Sequence, residues 1–401
     1  MTSASSSPPG RPLRVLVVDD SAYNRQTIAA ILAEDPGVEV IGRAVNGKEA
    51  LQMAFELRPD VITLDLEMPE MDGYAFLRLL MVKSPVPVLV ISSHDDRESV
   101  FRALELGAMD FIAKPRRKIG PELRKIADEL RAKIAVVGRL QVVGLQARAR
   151  GVAAPASARA NPNGRAAAPA DEGDVEVEDA VAVEASADSS AETSAPAGAL
   201  RPLGLLGIAA STGGPPAIQQ LLRELPGGLP LAIVIAQHMP ARFTRAFAGR
   251  LDRMSPFDVR EAEDGERLER GVVYIAPGAH DVEILGDPQG PGRIRVRDAR
   301  KGGSLMPSGD LLFRTGVHAY GSHFCALVLT GMGSDGAEGA RVAHAGGALV
   351  LAEDPRTAVM PGMPNSAIEA GVVDQVLSLA ELPIAIARFA ERCRSGSDDP
   401  L

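Results

Sequence analysis

Ten short apolar runs, rich in Val, Ile and Leu, each stop abruptly at a small or polar residue, and helical periodicity fills most of the intervals between them. Few folds accept that alternation. A run that is apolar on both faces belongs in a strand covered by helices on both sides, so the chain reads as α/β with parallel sheets. Five runs fall within residues 13–138 and five within 201–395, which predicts two doubly wound, mainly parallel sheet domains. Residues 282–297 break the rhythm: VEIL and RIRV, separated by GDPQGPG, read as an antiparallel hairpin appended to the second sheet.

In the first domain the runs end in chemically active residues. Leu13–Val18 leads into Asp19-Asp20, Val61–Leu64 into Asp65, Pro87–Ile91 into Ser92-Ser93, and Met109–Ala113 into Lys114-Pro115; a strand around Val38–Ile41 and a last helix over 121–137 complete the set. Functional groups of an open parallel sheet collect beyond the carboxyl ends of its strands, so Asp19, Asp20, Asp65, Ser92 and Lys114 share one rim. Three carboxylates forced together need a cation among them, and ligands that are all oxygen point to magnesium rather than zinc. With Lys114 as a fixed positive charge and the Ser92 hydroxyl beside it, the set reads as a place for putting phosphate on a carboxylate. A single acidic strand end is explained as a solvated cap; five matching residues at four strand ends are not.

The second domain opens with a run from Leu203 that delivers Ser211 to the edge of its sheet. Gly213 and Gly214 open backbone angles closed to other residues, and Pro215 or Pro216 suits the first turn of a helix, so strand, turn and helix follow without a gap. Ala209-x-Ser211-x-Gly213 is a looser form of the G-x-S-x-G nucleophile elbow. Alone, it equally fits a helix N-cap by Ser211 or Thr212, or a glycine loop that cradles phosphate. Two further strand ends bear on the choice: LAIVIA leads into Gln237-His238, and ALVLTGMGSDG places Asp335 after a glycine-rich turn. The strand-end rule gathers Ser211, His238 and Asp335 as nucleophile, general base and orienting carboxylate. Asp335 equally suits a cap for the helix beginning Gly336-Ala337. The Thr212 N–H and the turn around Met332 are the candidate oxyanion donors. His280, after another strand in APGAH, is a rival base ranked below His238. The remaining histidines show no metal-ligand spacing, so a hydrolytic zinc site is not expected.

The formal net charge of −9 is local, because residues 171–200 hold nine Asp or Glu and no Lys or Arg. The rest of the chain is neutral, and nucleic acid is not an expected partner. Residues 139–200, dominated by Ala, Pro, Ser, Gly and acid, cannot repay their ordering entropy and read as a flexible acidic linker, with residues 1–12 a disordered lead. A flexible part of roughly 50 residues has a root-mean-square span of about 35 to 45 Å, a loose tether. No apolar run approaches a bilayer span and MTSASSSPPGRP lacks the apolar middle of a signal peptide, so a cytoplasmic protein without membrane insertion is expected. Cys325 and Cys393 read as free thiols.

Two resemblances now follow from these residues. DDS at Asp19–Ser21, LDLEMPEMDG at Leu64–Gly73 and AKP at Ala113–Pro115 are similar to response-regulator receiver domains. That resemblance implies a flavodoxin-like domain in which Asp65 accepts a phosphoryl group from a chemotaxis histidine kinase. It also implies magnesium held by Asp19, Asp20, Asp65 and the carbonyl of Glu67, phosphate read by Ser92 and Lys114, and a cis bond before Pro115. ASTGGP at Ala210–Pro215, QHMP at Gln237–Pro240, YIAPGAH at Tyr274–His280, TGMGSDG at Thr330–Gly336 and MPNSAIEAG at Met363–Gly371 look like the catalytic domain of chemotaxis protein-glutamate methylesterases.

The second resemblance implies a Rossmann-like domain, with no cofactor for its chemistry, that hydrolyses glutamate methyl esters on the cytoplasmic domains of methyl-accepting chemoreceptors. It also implies deamidation of specific receptor glutamines. From the domain order, the unphosphorylated receiver is expected to cover the catalytic rim. Two positions depart from the family pattern. Ala209 stands where glycine is usual, and MPSGDLLF at Met306–Phe313 lacks the basic residue usually found just before its Pro-Ser. The alternatives are a non-enzymatic, phospho-switched receptor adaptor, or the same hydrolysis on another methylated protein outside chemotaxis.

Overall fold

A computed structural model of the chain describes residues 11–92, 97–114, 121–137, 202–287, 291–298 and 307–395. Residues 1–10 of the expected lead, the linker and the Lys114-Pro115 bond lie outside the described residues. The first five strands are β1 (Leu13–Val18), β2 (Val38–Ala44), β3 (Val61–Leu64), β4 (Val88–Ser92) and β5 (Asp110–Ala113). All pair in parallel, in the order β2-β1-β3-β4-β5. Five helices alternate with them: α1 (Ala22–Ala33), α2 (Gly47–Leu57), α3 (Gly73–Lys83), α4 (Arg97–Glu105) and α5 (Pro121–Val137). VITL of β3 and VLVIS of β4 are buried at every position, which is why their sequences show no alternation. Ser21, Asn46 and Asp72 start α1, α2 and α3, each side chain accepting a bond from an otherwise unpaired amide in the first turn.

The second sheet has seven strands: β6 (Gly204–Ala210), β7 (Leu231–Gln237), β8 (Asp258–Glu261), β9 (Val272–Ile275), β12 (Phe324–Val328), β13 (Leu349–Glu353) and β14 (Gln375–Leu377). Its order is β14-β13-β12-β6-β7-β9-β8, parallel throughout. The expected hairpin is present as β10 (His280–Leu285) and β11 (Arg293–Asp298), which form a two-stranded sheet of their own. The two edge strands, β8 and β14, escape a sequence reading because DVRE and QVL carry no apolar run. The helices are α6 (Gly214–Glu224), α7 (Ala241–Met254), α8 (Gly309–Tyr320), α9 (Ala337–Ala345), α10 (Gly362–Glu369) and α11 (Leu382–Ser395).

Both sheets reverse their winding in the middle. The first turns between β1 and β3 and the second between β6 and β12, so at those points successive loops part and leave a crevice above the strand ends. Asp19 and Asp65 follow the first pair of strands; Ser211 follows β6 and Asp335 lies beyond β12. The two domains also touch. Phe101 of α4 stacks on Phe247 of α7 with ring centroids 5.4 Å apart, and Phe111 of β5 meets Phe243 at 4.6 Å. These rings join one buried apolar cluster that runs from one domain into the other.

Candidate active site

The turn after β6 is fixed before any side-chain chemistry is considered. Gly213, at φ 77°, is the N-cap of α6 and no side chain caps that helix, so the capping alternative for Ser211 and Thr212 does not hold. Register pairs Ala210 with Gln237, and the His238 amide donates to Ala210 O at 2.9 Å, so Ser211 and His238 are the next residues on two adjacent strands. Thr330 grips the turn from the far side: its carbonyl accepts Ser211 N at 3.0 Å and its hydroxyl donates to Thr212 O at 2.9 Å. Gln237 grips it from the near side. One amide nitrogen, Nε2, donates to Ser211 O at 2.9 Å and to His238 O at 3.0 Å. Gln237 Oε1 is buried and lacks a hydrogen-bond partner among the described residues. A Cβ on Gly214 would sit 2.0 Å from that oxygen, which accounts for the second glycine of the turn.

His238 Nε2 lies 2.8 Å from Asp335 Oδ2, with both side chains nearly buried. Asp335 also accepts the amides of Gly309 (2.7 Å) and Asp310 (3.1 Å) and the hydroxyl of Ser308 (3.2 Å). Burial alone would raise its pKa. The His238 ring and the two amides prevail and hold the carboxylate below its ordinary range. Asp335 therefore caps α8, whereas the expected alternative, a cap on its own helix α9, is not what the chain does: that N-cap is Gly336, without a side-chain bond from Asp335. The other ring nitrogen, His238 Nδ1, is buried without a partner among the described residues. Its rival is engaged elsewhere. His280 Nδ1 is 3.0 Å from Gly278 O and its Nε2 is 3.4 Å from exposed Asp298. Met332 is half-buried in the turn that precedes Asp335.

The rim of the first domain gathers the residues expected there. Carboxylate oxygens of Asp19, Asp20 and Asp65 lie within 4.8 Å of one another, and Lys114 Nζ is 2.5 Å from Asp65 and 3.0 Å from Asp19. Burial pushes Asp65 up to about 6, opposed by Lys114 and reinforced by the Asp19 charge. Burial disfavours the Lys114 ammonium, yet Asp65 and Asp19 outweigh it and keep the lysine above its ordinary value. Such an all-oxygen donor set, short of positive charge, fits a small hard dication. Ser92 is buried at the end of β4, in register with Ala113, and its carbonyl accepts the Lys114 amide at 2.7 Å. Glu67 is exposed two residues beyond Asp65.

The first domain reaches the elbow of the second. Thr212, 3% exposed, donates through Oγ1 to Asp110 Oδ2 at 2.7 Å, and Lys133 Nζ lies 2.9 Å from the same oxygen. Glu105 at the end of α4 accepts Gln219 at 3.2 Å and pairs with Arg250. Sequence reasoning gave no role to Asp110, Gln237, Asp310 or Thr330. Gln237 and Thr330 lie inside motifs already singled out, but a side chain that grips a neighbouring strand's backbone leaves no spacing signature. Asp110 opens an apolar run as an unremarkable polar residue.

Comparison with known proteins adds to this geometry. Residues 206–386 match the CheB methylesterase family, and residues 15–124 match the response regulator receiver domain. The chain is 42% identical over 390 residues to protein-glutamate methylesterase/protein-glutamine glutaminase 3 of Geobacter sulfurreducens, covering 97% of this chain and 99% of that one. It is 41% identical to a protein of the same name, number 6, from Anaeromyxobacter dehalogenans (96% and 98% covered). Protein-glutamate methylesterase/protein-glutamine glutaminase 1 of Myxococcus xanthus is 40% identical (95% and 98% covered). With such agreement over nearly its whole length and two crevices built from the matching motifs, the chain belongs to the CheB methylesterase family, in the form that carries a receiver domain ahead of the esterase.

Proposed function

We propose that this chain hydrolyses glutamate methyl esters on the cytoplasmic domains of chemoreceptors, deamidates particular receptor glutamines by the same route, and is released for that work when Asp65 is phosphorylated. The observation that carries the reading is the 2.8 Å contact of His238 with Asp335, beside a serine on a backbone-gripped elbow. Ser211 Oγ attacks the ester carbonyl while His238 takes its proton at Nδ1, the ring nitrogen that Asp335 does not hold. The tetrahedral adduct expels methoxide, which leaves as methanol with that proton. Water then gives a proton to His238 and attacks the glutamyl ester of Ser211, restoring the serine and freeing the glutamate. With glutamine as substrate, ammonia leaves in place of methanol. We assign the oxyanion to the Thr212 N–H, which follows the nucleophile, and to the turn at Met332.

On the receiver, Asp19, Asp20, Asp65 and the Glu67 carbonyl would hold magnesium, which when bound neutralises phosphoryl oxygens. Asp65 takes the phosphoryl group from a histidine kinase, and Lys114 and Ser92 answer the new charge. The Asp110–Thr212 bond and the shared aromatic cluster support a resting state in which the receiver covers the elbow. The deciding assay counts methanol released from methylated receptor membranes by the full chain, with and without a phosphodonor. Release that persists undiminished in S211A would end the assignment.

A further inference from the structure

We infer that Asp310 is a positioning residue for the Asp335–His238 pair, acting through an exchange of caps between α8 and α9; this rests on the hydrolytic reading above. Asp335 stands immediately before α9 yet accepts the first amides of α8. Asp310, the second residue of α8, returns the favour: its Oδ1 accepts Gly336 N at 2.9 Å and Gly339 N at 2.7 Å, the opening amides of α9. Each helix is capped by a carboxylate from the entry of the other. Asp335 is thus held twice, directly by α8 and through the Gly336 turn that Asp310 fastens.

The fit leaves no slack. A Cβ on Gly309 would lie 2.5 Å from the Ala209 methyl and 3.3 Å from Asp335 Oδ2, and one on Gly339 would lie 2.7 Å from the Asp310 backbone. Gly336 sits at φ 93°, where other residues are strained. Ala209, the position where the family resemblance leads one to expect glycine, therefore places its methyl against the N-terminus of α8. From the hairpin side, Asp281 Oδ1 accepts Ser308 N at 3.0 Å and pins the same helix start. The Pro-Ser at the entry of α8 is thus held from both the hairpin and the Asp335 side.

Charge gives the exchange its direction. Two helix N-termini face two carboxylates, so each negative end is met by unpaired amides. Burial, with the Asp335 charge adding to it, raises the Asp310 pKa against the pull of the Gly339 and Gly336 amides, while Asp335 is lowered.

The test compares D310A with D310N in the full chain, activated by a small phosphodonor. Alanine removes both bonds to α9, whereas asparagine keeps an acceptor in the same place and is itself a good cap. D310A should lose on the order of 10- to 100-fold in kcat with KM within about twofold, because the lost support acts on a geometry the substrate does not bind. In 15N-histidine-labelled protein, the low-field N–H resonance of the His238–Asp335 bond should weaken or vanish in D310A. D310N should restore the resonance and bring kcat back to within about threefold. Should D310A not accumulate in folded form, D310S, whose hydroxyl can reach one amide, takes its place, with an intermediate kcat and a weakened resonance expected. Wild-type turnover in the Ala or Ser variant, an unweakened resonance, or an asparagine no better than alanine would each overturn the inference. S211A separates the two readings: methanol release that survives in it sinks the hydrolytic assignment, while the resonance still reports on Asp310.

Discussion

The hydroxyl of Thr212 donates to the carboxylate of Asp110, and through that 2.7 Å bond β5 of the receiver holds the residue that follows Ser211. Asp110 opens β5 and Lys114 follows its end, so one short strand carries the contact with the elbow at its start and the cation paired with Asp65 at its finish. Phosphate on Asp65 changes the charge that Lys114 faces. A shift of β5 by a fraction of a residue is enough to break a bond of this length.

T212V removes the donor and nothing else from the side chain, so it isolates that bond. A hydrogen bond to a charged acceptor contributes about 1.5–3 kcal/mol, or on the order of 10- to 100-fold in the ratio of covered to uncovered forms. Basal methanol release without phosphodonor should therefore rise by up to roughly 10-fold, since the aromatic contacts remain, while the phosphorylated rate changes little. Equal basal rates in T212V and the wild type would show that the bond does not hold the receiver in place.

Asp335 gives a pH-dependent expectation. Its folded pKa is depressed below the ordinary 3.8, so its contribution to stability is present above that value and is lost as the pH falls through the lower folded one. D335N lacks this contribution. Chemical denaturation should find the wild type more stable than D335N at neutral pH, with the gap closing only below about pH 4. At neutral pH D335N should also lose on the order of 10⁴ in turnover, because an amide neither supports the imidazolium nor fixes its tautomer. A stability gap that closes well above pH 4 would mean that Asp335 is not held as described.

Much of this was legible in the residues, and the rest fails for identifiable reasons. Buried parallel strands announce themselves as unbroken apolar runs, and strand ends at a switch point collect chemistry, so Asp19, Asp65, Ser211 and His238 could be placed by counting. Edge strands such as DVRE have one wet side and no such run. Asp335 was located, but not its partner helix, because a cap that crosses from one helix to another depends on packing and not on the spacing within a turn. The docking of the receiver through Asp110 and Phe111 depends on tertiary shape, which no local pattern encodes.

Removing phosphate sensing should uncouple the domains without touching the ester site. K114A leaves Asp65 and Asp19 without their nearest cation, and the chain should keep its basal rate while losing most of its response to a phosphodonor. Basal and stimulated methanol release measure the two separately. A stimulated rate in K114A equal to that of the wild type would remove Lys114 from the relay.

Gln237 offers the sharpest test of the elbow, because a side chain at Gly214 would run into its amide. Q237A withdraws both donors from Ser211 O and His238 O. Ser211 O keeps the Gly214 amide at 2.8 Å, whereas His238 O loses its donor at a cost of about 1–3 kcal/mol, and the two candidate residues lose their common clamp. Both the melting temperature and kcat should fall. G214A should also be damaging, for a different reason: its new methyl would press on Gln237 Oε1 from 2.0 Å and displace the same amide. Once Gln237 is already alanine that collision no longer exists. The double variant should therefore be less impaired than the sum of the two single ones, by on the order of 1 kcal/mol or more in a thermodynamic cycle on stability. Strict additivity would mean that the glycine and the glutamine act independently, and that the amide is not what requires residue 214 to lack a side chain.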